Sequence, residues 1–251
     1  MAGAGRGVLI TGASRGIGRA TALAFAELGD RVAVHHRDSE ALAREVVAGL
    51  PGSGHVVVGG DLADPETARH VVESSIAGLG AIDVLVNNAG VSISHSITEL
   101  DFESWRAAFD RTIAVNLSGP AYVTYFVVQH MLGRGGRIVN VSSRGAFRGE
   151  PDQPGYGASK AGLNAFGQSL ARALAAHGIS VGTVAPGWVA TDMAQDELKS
   201  PRGAEVLAQS PFNRIAEPEE IAAAVVFLAS PKAAFTSGAI LDVNGASYLR
   251  T

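Results

Sequence analysis

The chain has 251 residues, 47% of them hydrophobic, with 31 glycines, no cysteine and a formal net charge of -4. That length suits one α/β domain, residues 1–251, with a substantial core and little room for a second. Lacking cysteine, the chain has no disulfide, no thiolate zinc site and no cysteine nucleophile, and its mild negative charge supplies no basic field for nucleic acid.

No apolar run approaches the ~20 residues of a membrane helix, so no membrane partner is expected. The first residues run straight into a strand-like segment and leave no room for a signal peptide, which makes the cytoplasm the default location. The histidines, His35, His36, His55, His70, His95, His130 and His177, are scattered without metal-binding spacing. They read as solvated or second-layer residues, and no metal site is expected.

In chain order, VLITGASRGIG (8–18) is a buried-strand run followed by a glycine-rich turn. Ile17, Ala20, Leu23, Ala24, Phe25 and Leu28 then recur at helical spacing. The glycines Gly12, Gly16 and Gly18, spaced G-x-x-x-G-x-G, let the backbone turn sharply and approach a pyrophosphate, whose charge is met by N–H groups at the helix start. About 20 residues further on, where an acid would bind a ribose 2′-hydroxyl and a base a 2′-phosphate, the second strand ends in HHRDS (35–39). Arg37 and Arg15 look like a guanidinium clamp for a 2′-phosphate, which favours NADP and leaves NAD as the alternative. Otherwise Arg37 and Asp38 form an exposed loop pair, with Asp38 or Ser39 capping the next helix.

Asp61 follows the third strand in DLAD (61–64) and is placed to cap a helix starting near Pro65. In NNAG (87–90) small residues after a buried strand let the backbone come close to a ribose, or simply make a turn. Asn116 sits in a long helical stretch (102–131) among Phe109, Ile113, Leu117 and Val123, where an amide implies a satisfied buried hydrogen bond.

The densest chemistry lies in VNVSSRGAFRGEPDQPGYGASKAG (139–162). Tyr156 and Lys160 are four apart in a segment of helical composition, so one turn puts both on one face. A cation beside the phenol would lower its pKa from about 10, and Ser143 follows an apolar strand-like run, where its hydroxyl can bond the same polar group. The trio suits proton transfer to or from a carbonyl or alcohol oxygen; the other reading is a surface pair with the lysine stem lying on the ring. Strand-like runs at 8–11, 31–35, 55–59, 84–87, 137–141, 180–185 and 239–243 alternate with helix-length segments. They predict a doubly wound parallel sheet of about seven strands with helices on both faces.

TGASRGIG (11–18), DLAD, NNAG, Asn116 in VNL, Ser143, the YGASK box (156–160) and the Pro186-Gly187 of VAPG occur in one order over nearly the whole chain. With these the sequence resembles the short-chain dehydrogenase/reductase family, most of all 3-oxoacyl-[acyl-carrier-protein] reductases and similar ketoreductases. The resemblance implies a Rossmann-type fold and hydride transfer between a nicotinamide and a carbonyl or secondary alcohol. It implies that Tyr156 passes the proton, Ser143 bonds the oxygen, Lys160 lowers the tyrosine pKa and orients the ribose, and Asn116 holds a water that links Lys160 to solvent. It places the dinucleotide against Gly12, Ser14, Arg15, Gly16, Ile17, Gly18, Arg37, Asp61, Leu62, Asn88, Ala89, Gly90, Tyr156, Lys160, Pro186, Gly187, Val189 and Thr191. Asp61 would meet the adenine amino group, with Leu62 packing nearby, and Thr191 the carboxamide.

The span 188–214 would cover nicotinamide and substrate as a loop. A homotetramer built on the two long helices and the tail is implied in the same way, although Asn244-Gly245-Ala246 stands where the family often has Gly-Gly. An acidic carrier of an acyl group would meet Arg134, while His177 stands where an arginine is frequent, and Arg148, Glu150 and Asp152 mix the charge at the pocket mouth. A sugar, polyol or other secondary-alcohol dehydrogenase is the nearest competitor. A non-catalytic dinucleotide-binding regulator is the other class, against which the presence of Asn116, Ser143, Tyr156 and Lys160 together speaks.

Overall fold

The strand Gly7–Ile10 (β1) sends Val8 and Ile10 to one face and Leu9 to the other, and all three are fully buried. A strand's side chains alternate, so burial on both faces requires a layer of helices on each side. The computed structural model describes residues 5–250. The expectation about the first residues therefore rests on residues 1–4, outside the described residues.

After β1 come α1 (Gly16–Glu27), β2 (Arg31–His36), α2 (Glu40–Gly49), β3 (Val56–Gly59), α3 (Pro65–Leu79) and β4 (Val84–Asn87). There follow α4 (Phe102–Ile113), α5 (Gly119–Met131), β5 (Gly136–Val141), α6 (Gly145–Arg148), α7 (Pro154–Leu174) and β6 (Ile179–Pro186). The chain continues through α8 (Asp192–Lys199), α9 (Gly203–Ala208), α10 (Pro218–Leu228) and β7 (Ile240–Val243). The strands form a seven-stranded parallel sheet in the order β3-β2-β1-β4-β5-β6-β7. One core lies under α1, α2 and α10, with Phe25, Val46 and Ile221 at its centre. The other lies under α3, α5 and α7, with Val71, Val127 and Leu174.

Direction reverses between β1 and β4, and such a switch point opens a crevice at the carboxyl ends of the strands. No helix among the described residues is long and apolar enough to cross a membrane.

Local chemistry sets the helix ends, with three departures from the sequence reading. Asp64, not Asp61, caps α3: its carboxylate accepts from Thr67 N–H at 2.8 Å, one position before Pro65. Neither Asp38 nor Ser39 caps α2; the Ser39 hydroxyl donates to Asp38 instead. On α1, Ala20 and Phe25 of the apolar set are buried, whereas Leu23 and, just past the helix, Leu28 are exposed. Glu217 and Glu220 form a capping box that starts α10 at Pro218.

Two longer segments also differ. The helical stretch 102–131 is interrupted by a π-helical turn, Ala114–Ser118, centred on Asn116. The span 188–214 is largely helical, occupied by α8 and α9, because its apolar Ala194 and Val206 find burial against the body.

Candidate active site

The tips of β1 and β4 are stitched together. Thr11 Oγ1 accepts from the backbone N–H groups of Asn88 at 2.9 Å and Ala89 at 3.0 Å. The Asn88 amide donates back to the carbonyls of Thr11 at 2.9 Å and Gly12 at 3.0 Å. Gly12 has φ +63°, and a Cβ there would stand 2.9 Å from Ala89 Cα, so both conformation and clearance demand glycine. Helix α1 starts after Arg15 with no side-chain cap, which leaves its first N–H groups for an anion. Ser14 is half-buried, Ile17 packs on the α1-side core, and Gly18 is buried beneath the turn.

His35 is a part of this turn that the sequence reading missed. Its Nδ1 accepts from Gly12 N–H at 3.0 Å, so Nδ1 is bare and the ring proton sits on Nε2, facing Gly60 O at 3.0 Å. Burial pushes its pKa down to about 4. A histidine at the end of an otherwise apolar strand was the available signal.

At the crevice's outer end, Arg37 folds onto Asp38 (3.0 and 2.6 Å), and Arg15 reaches Asp192 at 3.3 Å. Each guanidinium thus has an exposed carboxylate of its own. Asp61 accepts from Ala63 N–H at 3.0 Å and pairs with Arg111 at 2.7 Å. Burial alone would raise the Asp61 pKa, but the bonds from Arg111 and Ala63 outweigh it and hold the carboxyl below its usual value. Arg111, in the last turn of α4, escaped the sequence reading, whereas Leu62 is buried as expected.

The reactive groups meet past the ends of β4 and β5. Asn116 Oδ1 accepts from Val91 N–H at 2.8 Å, and its amide donates to Val91 O at 2.9 Å and Ser159 Oγ at 3.2 Å. The extra residue of the π turn is placed where this amide leaves the helix for the Val91 backbone beyond β4; such turns frequently mark functional sites. Lys160, almost fully buried, donates to Val141 O at 2.9 Å. A Cβ on Gly90 would lie 3.3 Å from Asn116 Oδ1 and 3.4 Å from Lys160 Nζ, so those polar atoms flank a bare stretch of backbone. Ser143 Oγ accepts from Gly145 N–H at 3.0 Å.

In the resting fold Lys160 does not bring the Tyr156 pKa below its usual value, as the spacing suggested it would. Burial pushes the phenol up, and the hydrogen bond with Ser143 pulls it only part of the way back. Lys160 Nζ stands 5.8 Å from the ring centre and is spent on a carbonyl, and burial brings its own pKa down to about 8. Desolvation thus opposes the charged form of each.

Helix α7, which carries Tyr156 and Lys160, is anchored by a second overlooked histidine. His95 Nε2 accepts from Gly155 N–H at 2.9 Å, and its Nδ1–H donates to Ile93 O at 2.7 Å. The ring is wedged against Trp105 and Phe109.

On the covering side, Thr191 lies over the glycine turn, its methyl 3.0 Å from where a Gly16 Cβ would be. Val189 is buried and bridges to Ala216, and Pro186 and Gly187 lead out of β6. Arg148 pairs with Glu150, and Asp152 with Arg202 at 3.8 Å. Arg134 leans on Asp83 at 3.6 Å. Among the described residues no group of three or more His, Asp or Glu is placed to hold a metal ion.

A family model described as enoyl-(acyl carrier protein) reductase matches residues 12–246. The chain is 38% identical to an L-rhamnose 1-dehydrogenase (NAD(P)(+)) of Sphingomonas sp., over 98% of this chain and 97% of that protein. It is also 38% identical to a 3-oxoacyl-[acyl-carrier-protein] reductase of Vibrio cholerae, over 98% of each. Among solved structures it is similar to a short chain dehydrogenase from Burkholderia cenocepacia in complex with NADP, with TM-score 0.87 and 33% identity over 96% of this chain and 97% of that one.

Proposed function

The chain belongs to the short-chain dehydrogenase/reductase family, and from that premise we propose that it reduces a carbonyl to a secondary alcohol, or runs the reverse oxidation, with NADP(H). The observation that carries this reading is the gathering of Ser143, Tyr156, Lys160 and Asn116 beside the Gly12 turn. The residues present fit a dinucleotide: the uncapped start of α1 suits a pyrophosphate, and the bare Gly90 backbone between Lys160 and Asn116 suits a ribose. When bound, it supplies or accepts the hydride.

In the reductive direction Tyr156 is the acid, and its raised pKa keeps the proton on the phenol until a carbonyl oxygen takes it. Ser143 bonds that oxygen as negative charge builds on it. Lys160 stabilises the phenolate as it forms, and a value of about 8 lets it exchange protons near neutrality. Asn116 holds the Gly90–Val91 backbone beside Lys160.

NADP is favoured over NAD because Arg15 and Arg37 flank the outer end of the crevice. Their exposed pairs with Asp192 and Asp38 are screened by solvent and weaker than a bidentate bond to a phosphate. For the substrate we favour a 3-oxoacyl thioester or similar ketone, as the name of the Vibrio relative suggests. A sugar is the second reading: the Sphingomonas relative is named for one, and Arg134, the expected carrier contact, leans on Asp83. Exposed Phe102 and Tyr125 on α4 and α5 support a homotetramer.

The test is oxidation of NADPH and NADH, followed by absorbance, with 3-oxoacyl thioesters, aldoses and simple ketones. Tyr156→Phe should cut turnover by roughly 10²–10⁴-fold and leave NADPH binding unchanged. Full activity in that variant refutes the assignment of the acid.

A further inference from the structure

A cavity of about 130 Å³ lies behind the covering segment, between the end of β5, the Trp188 ring, α9 and the turn after β7. None of Ser143, Tyr156 or Lys160 lines it. Arg144, the residue after Ser143, does, and its side chain is 3% exposed. One guanidinium nitrogen, Nη2, donates to Gln209 Oε1; the other, Nη1, is buried with no partner.

The neighbouring charges cancel one another and leave Arg144 over. Arg148 holds Glu150, and Arg214 holds Glu220 through two bonds of 2.6 and 2.7 Å. Among the described residues no carboxylate pairs with Arg144. Gln209 Oε1 is neutral and already accepts from Arg148 at 3.4 Å and Trp188 Nε1 at 3.3 Å as well. Burial and repulsion by Arg148 outweigh the attraction of Glu150 and bring the Arg144 pKa down to about 10. A guanidinium taken out of water with no counter-ion is costly, and a protein interior normally pairs it.

We propose that this cavity is a binding site for a small carboxylate whose oxygens meet the Arg144 guanidinium and whose hydrocarbon part lies against Trp188 and Val206. The walls set the class. A single unmatched positive charge selects a monoanion, and the guanidinium fork matches a carboxylate. Trp188 and the buried Val206 offer an apolar surface beside it. The space is that of a small acid rather than of a long acyl chain. Because Trp188, Val206 and Gln209 belong to the covering segment and Arg144 to the turn after β5, an occupant ties that segment to the turn that carries Ser143.

The probe is propionate, with propionamide as its neutral near-isostere. The chain has two tryptophans, so Trp105→Phe makes Trp188 the only reporter of fluorescence. Propionate should give a saturable change that propionamide does not, and Arg144→Met should weaken the response at least tenfold. An equal response to propionamide, or an unchanged titration in Arg144→Met, overturns the proposal. Should Arg144→Met fail to fold, the comparison of the two probes on the Arg144 protein still decides. Repeating the titration with a ketone substrate separates the sources: competition means that the carboxylate is the far end of the substrate, independence that it is a separate ligand, and both uphold the site. The readout needs no hydride transfer, so its failure leaves the oxidoreductase reading untouched.

Discussion

Lowering the pH tests the role of His35 directly. In the fold its Nδ1 must stay bare to accept from Gly12 N–H, and burial holds its pKa near 4 against 6.5 for the free side chain. The folded value lies below the unfolded one, so between about pH 6.5 and pH 4 the unfolded chain binds a proton that the folded chain refuses, and stability falls as pH falls. The full shift corresponds to about 3 kcal/mol, of which roughly 2 kcal/mol is lost between pH 7 and pH 5.

Urea unfolding of the wild type and of His35→Asn, at pH 7 and pH 5, isolates this effect. Asparagine offers an oxygen acceptor and an N–H donor but does not titrate. His130, also lowered by burial, and the carboxylates held low by their partners are common to both proteins, so they cancel in the difference. The wild type should lose about 2 kcal/mol more than the variant over this interval, and its NADPH affinity should weaken in parallel as the Gly12 turn loosens. Equal losses in the two proteins would refute the idea that a neutral His35 holds the turn.

Three further outcomes follow from the same geometry. Arg37→Ala should lower kcat/KM for NADPH by about tenfold or more while sparing NADH, since a charge-assisted bond contributes about 1.5–3 kcal/mol; parallel losses with both cofactors would remove Arg37 from the phosphate. Lys160→Met should abolish turnover yet stabilise the fold at pH 7 by about 1–3 kcal/mol, because burial lowers the lysine pKa from 10.5 to about 8 and its charge is a net cost. The wild type should gain stability as pH rises from about 8 toward 10, a gain that urea midpoints should not show in the variant. Asp30→Ala should cost about 2–3 kcal/mol in urea unfolding, since the buried carboxylate takes three N–H groups of Arg6 at 3.0, 3.2 and 2.7 Å.

The seven strands were legible because a sheet covered on both faces leaves unbroken runs such as Val84–Asn87, and neighbouring glycines mark where each run turns. The candidate site was legible where spacing along the chain carries the geometry: Tyr156 and Lys160 share a helix face, and Ser143 follows a strand. What stayed hidden depends on contacts across the fold. Gly12 lies 23 residues from the ring that accepts its N–H, and Gly155 lies 60 from His95, so no local pattern reveals either clamp. The π turn at Asn116 escaped because the helical periodicity on either side of it continues almost unchanged. The capping of α3 by Asp64 was misread for the opposite reason: Asp61 and Asp64 both precede Pro65, and only the N–H that each reaches tells them apart.

The misjudged tyrosine is the most instructive of these. Sequence spacing sees a cation four residues from a phenol and infers a lowered pKa; the fold buries both groups, and desolvation opposes the charged form of each. For the reduction proposed above that outcome is the useful one. A phenol poised low would stand ionised at neutral pH and have no proton to give, whereas a raised phenol keeps it until charge develops on the substrate oxygen. Lys160, held against Val141 O with no carboxylate, is costly to the resting fold for the same reason that it is effective later, since its charge goes uncompensated until an anion forms beside it. Stability and chemistry thus make opposite demands on one side chain, and for this reason Lys160→Met should be at once a more stable protein and an inactive one.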